Sequence, residues 1–192
     1  MKILEIKNKN SQKNATKILK SGGVLVFPTD TVYGIGSILN DLAIKKLYKI
    51  KNRPLNQPSA ILLTEKLYNF LSSRAKSYQI DFKEIKGFRT GEVTVIMPVE
   101  YLKLDLPGIL VSEAGTVGVR LPNLPWLKDL IDQVGPIVAS SANKKGELTP
   151  LGFDQVSIQI LEEADLVIKT TEKLAGKSSA IFDLTTGKYL RT

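Results

Sequence analysis

The chain has 192 residues, 43% of them hydrophobic and 24% charged, which is ordinary globular composition with enough length for one sizeable core; a single domain over residues 1–192 is expected. With 0 cysteines and 0 histidines, a thiol nucleophile, a disulfide framework, an imidazole base and a typical zinc site are excluded. The formal charge of +8 favours polyanionic partners, yet the lysines are dispersed, so most read as solvated surface and a few as a local basic cleft.

The opening residues alternate apolar and charged side chains and lack the apolar stretch of a signal peptide. No run approaches bilayer length, so a soluble, cytoplasmic protein is expected. Lys2 to Ile6 reads as a strand, and Ser11 to Lys20 as a helix that buries Ala15, Ile18 and Leu19. Gly22-Gly23 ends that helix. Val24 to Phe27 is an apolar run suited to a buried strand, closed by Pro28, which has no N–H to donate. The hydroxyls of Thr29, Thr31 and Tyr33, followed by Gly34 and Gly36, then read as a turn at a rim where backbone can approach a ligand. Asn40 or Asp41 caps a helix through Ile50, with Leu42, Ile44, Leu47, Tyr48 and Ile50 buried. Lys51 and Arg53, held between the helix end and Pro54, can fan toward one anion such as a polyphosphate. Basic residues at a helix C-terminus also suit the helix dipole with no ligand at all.

Ala60 to Leu63 is a second buried strand. Helices are expected over Glu65 to Phe70 and Lys76 to Ile85, a strand over Gly91 to Met97, and an irregular excursion over Tyr101 to Ser112. The strand from Thr116 is stopped by Pro122 and puts Thr116, Gly118 and Arg120 on one face; Arg120 either pairs at an edge or forks around a carboxylate or phosphate. Trp126 to Val134 is an amphipathic helix anchored by Trp126. Pro136 to Ala139 is a strand that delivers Ser140, Ser141 and Asn143 to another rim. Two strands that both end in hydroxyls or amides point to one polar cleft. A helix over Phe153 to Glu162 precedes strands at Leu166 to Lys169, Ala180 to Leu184 and Lys188 to Arg191, the last two joined by a turn at Thr186-Gly187. Crossover spacing combined with a terminal hairpin implies an α/β (α+β) fold whose mixed, twisted open β-sheet is flanked by helices and has a basic concave face. There are no internal repeats and no Walker-type phosphate loop.

Four stretches carry a resemblance. Pro28-Thr29-Asp30-Thr31-Val32-Tyr33-Gly34 and Lys51-Asn52-Arg53-Pro54 resemble the P-T-[ED]-T-x-Y-G and K-x-R-P signatures of the YrdC-like family, the threonylcarbamoyl-AMP synthases. Ser140-Ser141-Ala142-Asn143 resembles its S-x-N motif, and Ser179-Ala180-Ile181-Phe182-Asp183 its S-[TE]-[VI]-x-D segment. Glu92 stands where the family's G-P-x-T-x-x-L segment usually has proline. The resemblance implies a YrdC-like fold in its short, single-domain form, since the chain ends at Thr192 just after the Leu190-Arg191 match. It implies condensation of L-threonine, bicarbonate and ATP to threonylcarbamoyl-AMP and pyrophosphate for tRNA threonylcarbamoyladenosine modification. By the same match Thr31, Arg120, Ser141 and Ser179 would hold threonine, while Lys51, Arg53, Thr116, Asn143 and Arg191 would hold ATP. Lys51 and Arg53 would serve the triphosphate as catalytic cations, with magnesium on ligands the sequence does not identify and with no zinc. tRNA or tRNA-modifying proteins are the implied partners, with no membrane. The alternative is a non-catalytic tRNA or double-stranded RNA-binding module of the same fold, against which stands the scarcity of aromatics beside the basic residues.

Overall fold

Apolar runs without alternation call for strands buried on both faces, and the fold supplies helices to both. A computed structural model describes residues 2–73 and 85–192. Among them ten strands form one sheet: β1 (Ile3–Glu5), β2 (Leu25–Pro28), β3 (Tyr33–Ile38), β4 (Ala60–Leu62), β5 (Val93–Pro98), β6 (Thr116–Arg120), β7 (Ile137–Ser141), β8 (Leu166–Lys169), β9 (Ala180–Asp183) and β10 (Lys188–Arg191). The spatial order is β1-β8-β2-β3-β7-β4-β6-β5-β9-β10. Four pairings are parallel (β1 with β8, β2 with β8, β4 with β6, β5 with β9) and the others antiparallel, so the sheet is mixed as expected. The α-helices among the described residues are α1 (Ser11–Lys20), α2 (Asp41–Ile50), α3 (Glu65–Ser73), α4 (Pro125–Val134) and α5 (Ile158–Glu163).

The two-residue period of each strand divides the core. Leu25 and Phe27, Ile137 and Ala139, and Leu166 and Ile168 pack with Ala15 and Leu19 of α1 and Leu127, Leu130 and Ile131 of α4. Val26, Val138 and Val167 belong to the opposite cluster, with Ile44, Leu47 and Tyr48 of α2. Each fully buried Val, Leu, Ile or Phe among them contributes about 1.5–3 kcal/mol of transfer free energy. Helix α2 starts where Asn40 accepts hydrogen bonds from the amides of Leu42 and Ala43. Leu42, read as buried, is 77% exposed; it lies in the first turn on the outer face, and Ala43 takes the inward position.

The stretch from Tyr33, read as a glycine-rich turn, is β3, hairpinned onto β2 and paired on its other side with β7. Its glycines answer to packing: a Cβ on Gly36 would lie 2.6 Å from the Val138 carbonyl oxygen and 3.1 Å from the Phe27 ring. The true turn is Thr29 to Val32, where Thr29 Oγ1 accepts from the amides of Thr31 and Val32 and donates to the Val32 carbonyl. Ser140 and Ser141 stand within β7, opposite Ile35 and Gly34, rather than beyond its end. The single helix expected over Phe153 to Glu162 is a 3-10 turn (Phe153–Gln155) and then α5, because Ser157 caps a new start by accepting from the amide of Ile160. The helix expected over Lys76 to Ile85 falls, save its last residue, outside the described residues. No helix among the described residues is long and apolar enough to cross a membrane.

Candidate active site

Helices α1 and α4 cover one face of the sheet over β8, β2 and β7. The same face continues across β4, β6, β5 and β9, where the pleat points Leu62, Arg120, Thr94 and Ile181 into a cavity of about 260 Å³. Arg53, Arg120 and Arg191 give this cavity three guanidinium groups, and Thr31, Ser141 and Ser179 give it hydroxyls.

Arg120 ends β6 and is 7% exposed. Its Nε donates to the Gly91 carbonyl, and its Nη2 donates to Asp30 Oδ1 and to Thr31 Oγ1, each at 2.9 Å. Burial lowers its pKa and the nearby Arg191 acts in the same direction, while the Asp30 carboxylate opposes both. Thr31 Oγ1 also lies 3.0 Å from Thr29 Oγ1, so the Thr29 to Val32 turn and Arg120 form one polar knot. Across the cavity, Ser179 Oγ is 2.8 Å from Thr94 Oγ1, both residues being buried. The Ser179 carbonyl accepts from Nε and Nη2 of Arg191 at 3.0 and 2.6 Å, which fixes the terminal strand's arginine against the β8-to-β9 connection. That connection is docked by its own amides: Ala175 donates to the Asp30 carbonyl and Gly176 to that of Thr31.

Arg53 lies on the other wall. Its Nε donates to the Gln57 carbonyl at 2.7 Å and its Nη2 to that of Pro58 at 2.9 Å, with the guanidinium carbon 5.6 Å from the centre of the Tyr48 ring. These contacts hold a cation pointed at the cavity on a short polar loop. Lys51 does something different from what its spacing implies. It is 4% exposed, and its Nζ donates to the backbone carbonyls of Ser141 and Asn143. Burial and the neighbouring Arg53 lower its pKa to about 8, against an upward pull from Glu147. Lys51 therefore clips the end of α2 to the last residue of β7 and to the loop that follows it.

Of the nine residues singled out from the sequence, Thr31, Arg53, Arg120, Ser141, Ser179 and Arg191 share the cavity wall. Lys51, Thr116 and Asn143 do not. Thr116 Oγ1 pairs with Ser112 Oγ at 2.7 Å, four residues and about 13 Å along β6 from Arg120 at ~3.3 Å per residue. Asn143 donates from Nδ2 to the carbonyls of Lys144 and Glu147, and its buried Oδ1 has no partner among the described residues. Sequence reasoning passed over Asp30, although it stands inside the first motif, and Thr94, which occupies the threonine of the G-P-x-T-x-x-L segment. It also passed over Ser59, a buried cavity residue whose hydroxyl has no partner among the described residues and for which no sequence signal existed.

Residues 17–192 match the Sua5/YciO/YrdC family model, whose description is telomere recombination. A Methanocaldococcus jannaschii protein provisionally named threonylcarbamoyl-AMP synthase is 29% identical over 99% of this chain and 89% of its own length. The crystal structure of Pyrococcus abyssi Sua5 complexed with L-threonine superposes with a TM-score of 0.79 at 25% identity, covering 96% of this chain and 55% of that one. The chain thus spans about half the length of that relative. Escherichia coli YciO, at 22% identity and TM-score 0.78 over 99% of this chain and 92% of its own, shares the fold.

Proposed function

Because the chain belongs to the Sua5/YciO/YrdC family, we propose that it is a threonylcarbamoyl-AMP synthase, an adenylyl-transferring enzyme that condenses L-threonine, bicarbonate and ATP. The names of its relatives support this reading, as does the L-threonine held by Pyrococcus abyssi Sua5. The observation that carries it is the shared cavity: hydroxyls and guanidiniums from β6, β7, β10 and three connecting segments meet in a hollow of amino-acid size.

The chemistry fits a site with no imidazole. A carbamate oxygen of N-carboxythreonine attacks the α-phosphorus of ATP, the bond from that phosphorus to the bridging oxygen breaks, and pyrophosphate leaves. The nucleophile is already an anion and the leaving group is a good one, so proton transfer contributes little. Placement and the neutralisation of charge on the phosphates dominate. In this reading Thr31, Arg120, Ser141 and Ser179 take threonine. A substrate with its own hydroxyl suits them, since an analogue lacking it would leave buried polar groups unpaired. Arg53 and Arg191 take the phosphates, with Lys51 and Asn143 acting from behind the Ser141 edge. Thr116 would reach the nucleotide only if the ligand extends along β6 beyond the cavity.

The described residues include no group of three Asp, Glu, His or Cys able to hold a metal ion. Magnesium fits such a chain when the triphosphate and water supply most of its ligands, and the orphaned Asn143 Oδ1 is the protein oxygen that would join them. Bound there, magnesium would screen the charge on the phosphates. The product is a reactive mixed anhydride, so a transferase that delivers it to tRNA is the partner of this reading, and the cytoplasm its place.

The test is pyrophosphate release in the presence of ATP, bicarbonate and threonine. Release that depends on threonine is expected; release equal without threonine, or none in any mixture, refutes the assignment.

A further inference from the structure

Of the three guanidiniums in the cavity, Arg120 is the one that forms an ion pair among the described residues. Its partner is Asp30, and the two side chains are 9% and 14% exposed. One edge of the guanidinium is fully used: Nε on the Gly91 carbonyl, Nη2 on Asp30 Oδ1 and Thr31 Oγ1. Nη1 makes no hydrogen bond to a described residue, on a side chain that lines the cavity. The backbone is shaped around this arrangement. Gly91 has φ +83°, and a Cβ there would lie 2.4 Å from Asp30 Oδ2 and 3.0 Å from the Leu121 carbonyl oxygen. Only a glycine lets the carboxylate and the Gly91 carbonyl close on the same guanidinium from two sides. The Asp30 carbonyl meanwhile accepts from the amide of Ala175, tying the carboxylate's own backbone to the segment that leads to Ser179.

We propose that Asp30 is a positioning residue: it grips Arg120 by one edge and so presents Nη1 to the carboxylate of the amino-acid substrate. The inference rests on the reading of the cavity as an amino-acid site. An arginine side chain has four rotatable bonds, and fixing its planar fork before binding removes the ordering cost from the binding step. Charge alone points the other way, because a second carboxylate near the substrate's would repel it. The two effects therefore predict opposite signs, and the sign decides between them.

The experiment compares wild type, Asp30→Ala and Asp30→Asn in the full chain. Positioning predicts that Asp30→Ala raises KM for threonine tenfold or more, with kcat and KM for ATP each within about threefold. Asp30→Asn, which keeps an accepting oxygen in the same shape, should fall between, and it carries the test if the alanine variant does not fold. A threonine KM that is unchanged within twofold, or lowered, overturns the proposal. So does an equal rise in both KM values, the result of a merely structural role. An independent readout uses ¹⁵N-labelled protein without substrate. Slow rotation should resolve the Arg120 Nη signals in wild type and be lost in Asp30→Ala; identical signals in both overturn the proposal. Because this measurement needs no turnover, failure of the synthase assignment and failure of the positioning role are distinguishable.

Discussion

Replacing Gly36 by alanine adds one methyl group to the middle of β3. The new Cβ would sit 2.6 Å from the Val138 carbonyl oxygen and 3.1–3.2 Å from two carbons of the Phe27 ring. Phe27 is fully buried and the carbonyl belongs to the neighbouring strand of the ladder, so neither can swing aside as a surface side chain would. Overpacking of this kind costs about 1–3 kcal/mol. A backbone contact under 3 Å belongs at the upper end, and the stiffer unfolded chain of an alanine variant returns about 0.4–1 kcal/mol. The net expectation is a loss of roughly 2 kcal/mol, which at about 2–4 °C per kcal/mol for a chain of this size lowers Tm by about 4–8 °C. Gly108→Ala is the matched control. Nothing lies within 4 Å of its added Cβ, so its stability should be unchanged or up to about 1 kcal/mol higher. Urea and thermal unfolding of the three proteins make the comparison. Because β3 joins the Thr29 to Val32 turn to the strand bearing Ser141, threonine-dependent turnover well below Tm should also fall in Gly36→Ala. A Gly36→Ala protein as stable as wild type, or a Gly108→Ala protein that loses more, would refute the packing argument.

The Lys51 clip has a pH signature. Its folded pKa of about 8 lies below the unfolded value of about 10.4, so between these the unfolded chain binds more protons and the contribution of this residue to stability rises with pH. The stability of wild type relative to Lys51→Met should climb by roughly 1 kcal/mol per pH unit from pH 8 to 10 and stay flat below pH 7; parallel curves from denaturation at each pH would exclude it. Thr94→Val removes a hydroxyl that lies 2.8 Å from that of Ser179 and keeps the shape. The expected cost is about 1–2 kcal/mol of stability, with KM for threonine raised about tenfold and KM for ATP unaffected, read from unfolding curves and steady-state kinetics.

The legible parts of the sequence were those governed by local chemistry. The capping side chain of Asn40, the i, i+4 burial of Ala15 and Leu19, and the apolar run at Val24 each declare an element within a few residues. Gly34 and Gly36 misled because the same residue that permits a turn also permits a crowded strand, and only Phe27 and Val138 reveal which it is. The cavity residues show the same division. Arg120 stood out by type and position and Ser179 by its motif, yet the contacts that orient them come from Gly91, Asp30 and Thr94, none of them near in sequence. Lys51 looked like a free cation at a helix end because nothing local says that carbonyls at and just past the end of β7 will close over its ammonium.

The order of strands bears on how such a site comes into being during synthesis. The amino-terminal strand finds its partner only when Val167 arrives opposite Ile3, and the same late strand also borders β2. A ribosome would thus release most of this chain before its sheet could close, and long-range pairing of this kind slows folding. The last guanidinium to reach the hollow, Arg191, meets a wall begun at Thr29 some 160 residues earlier. A nascent chain truncated between Asp183 and Lys188 would carry all four motifs yet lack the wall that Arg191 adds to the pocket.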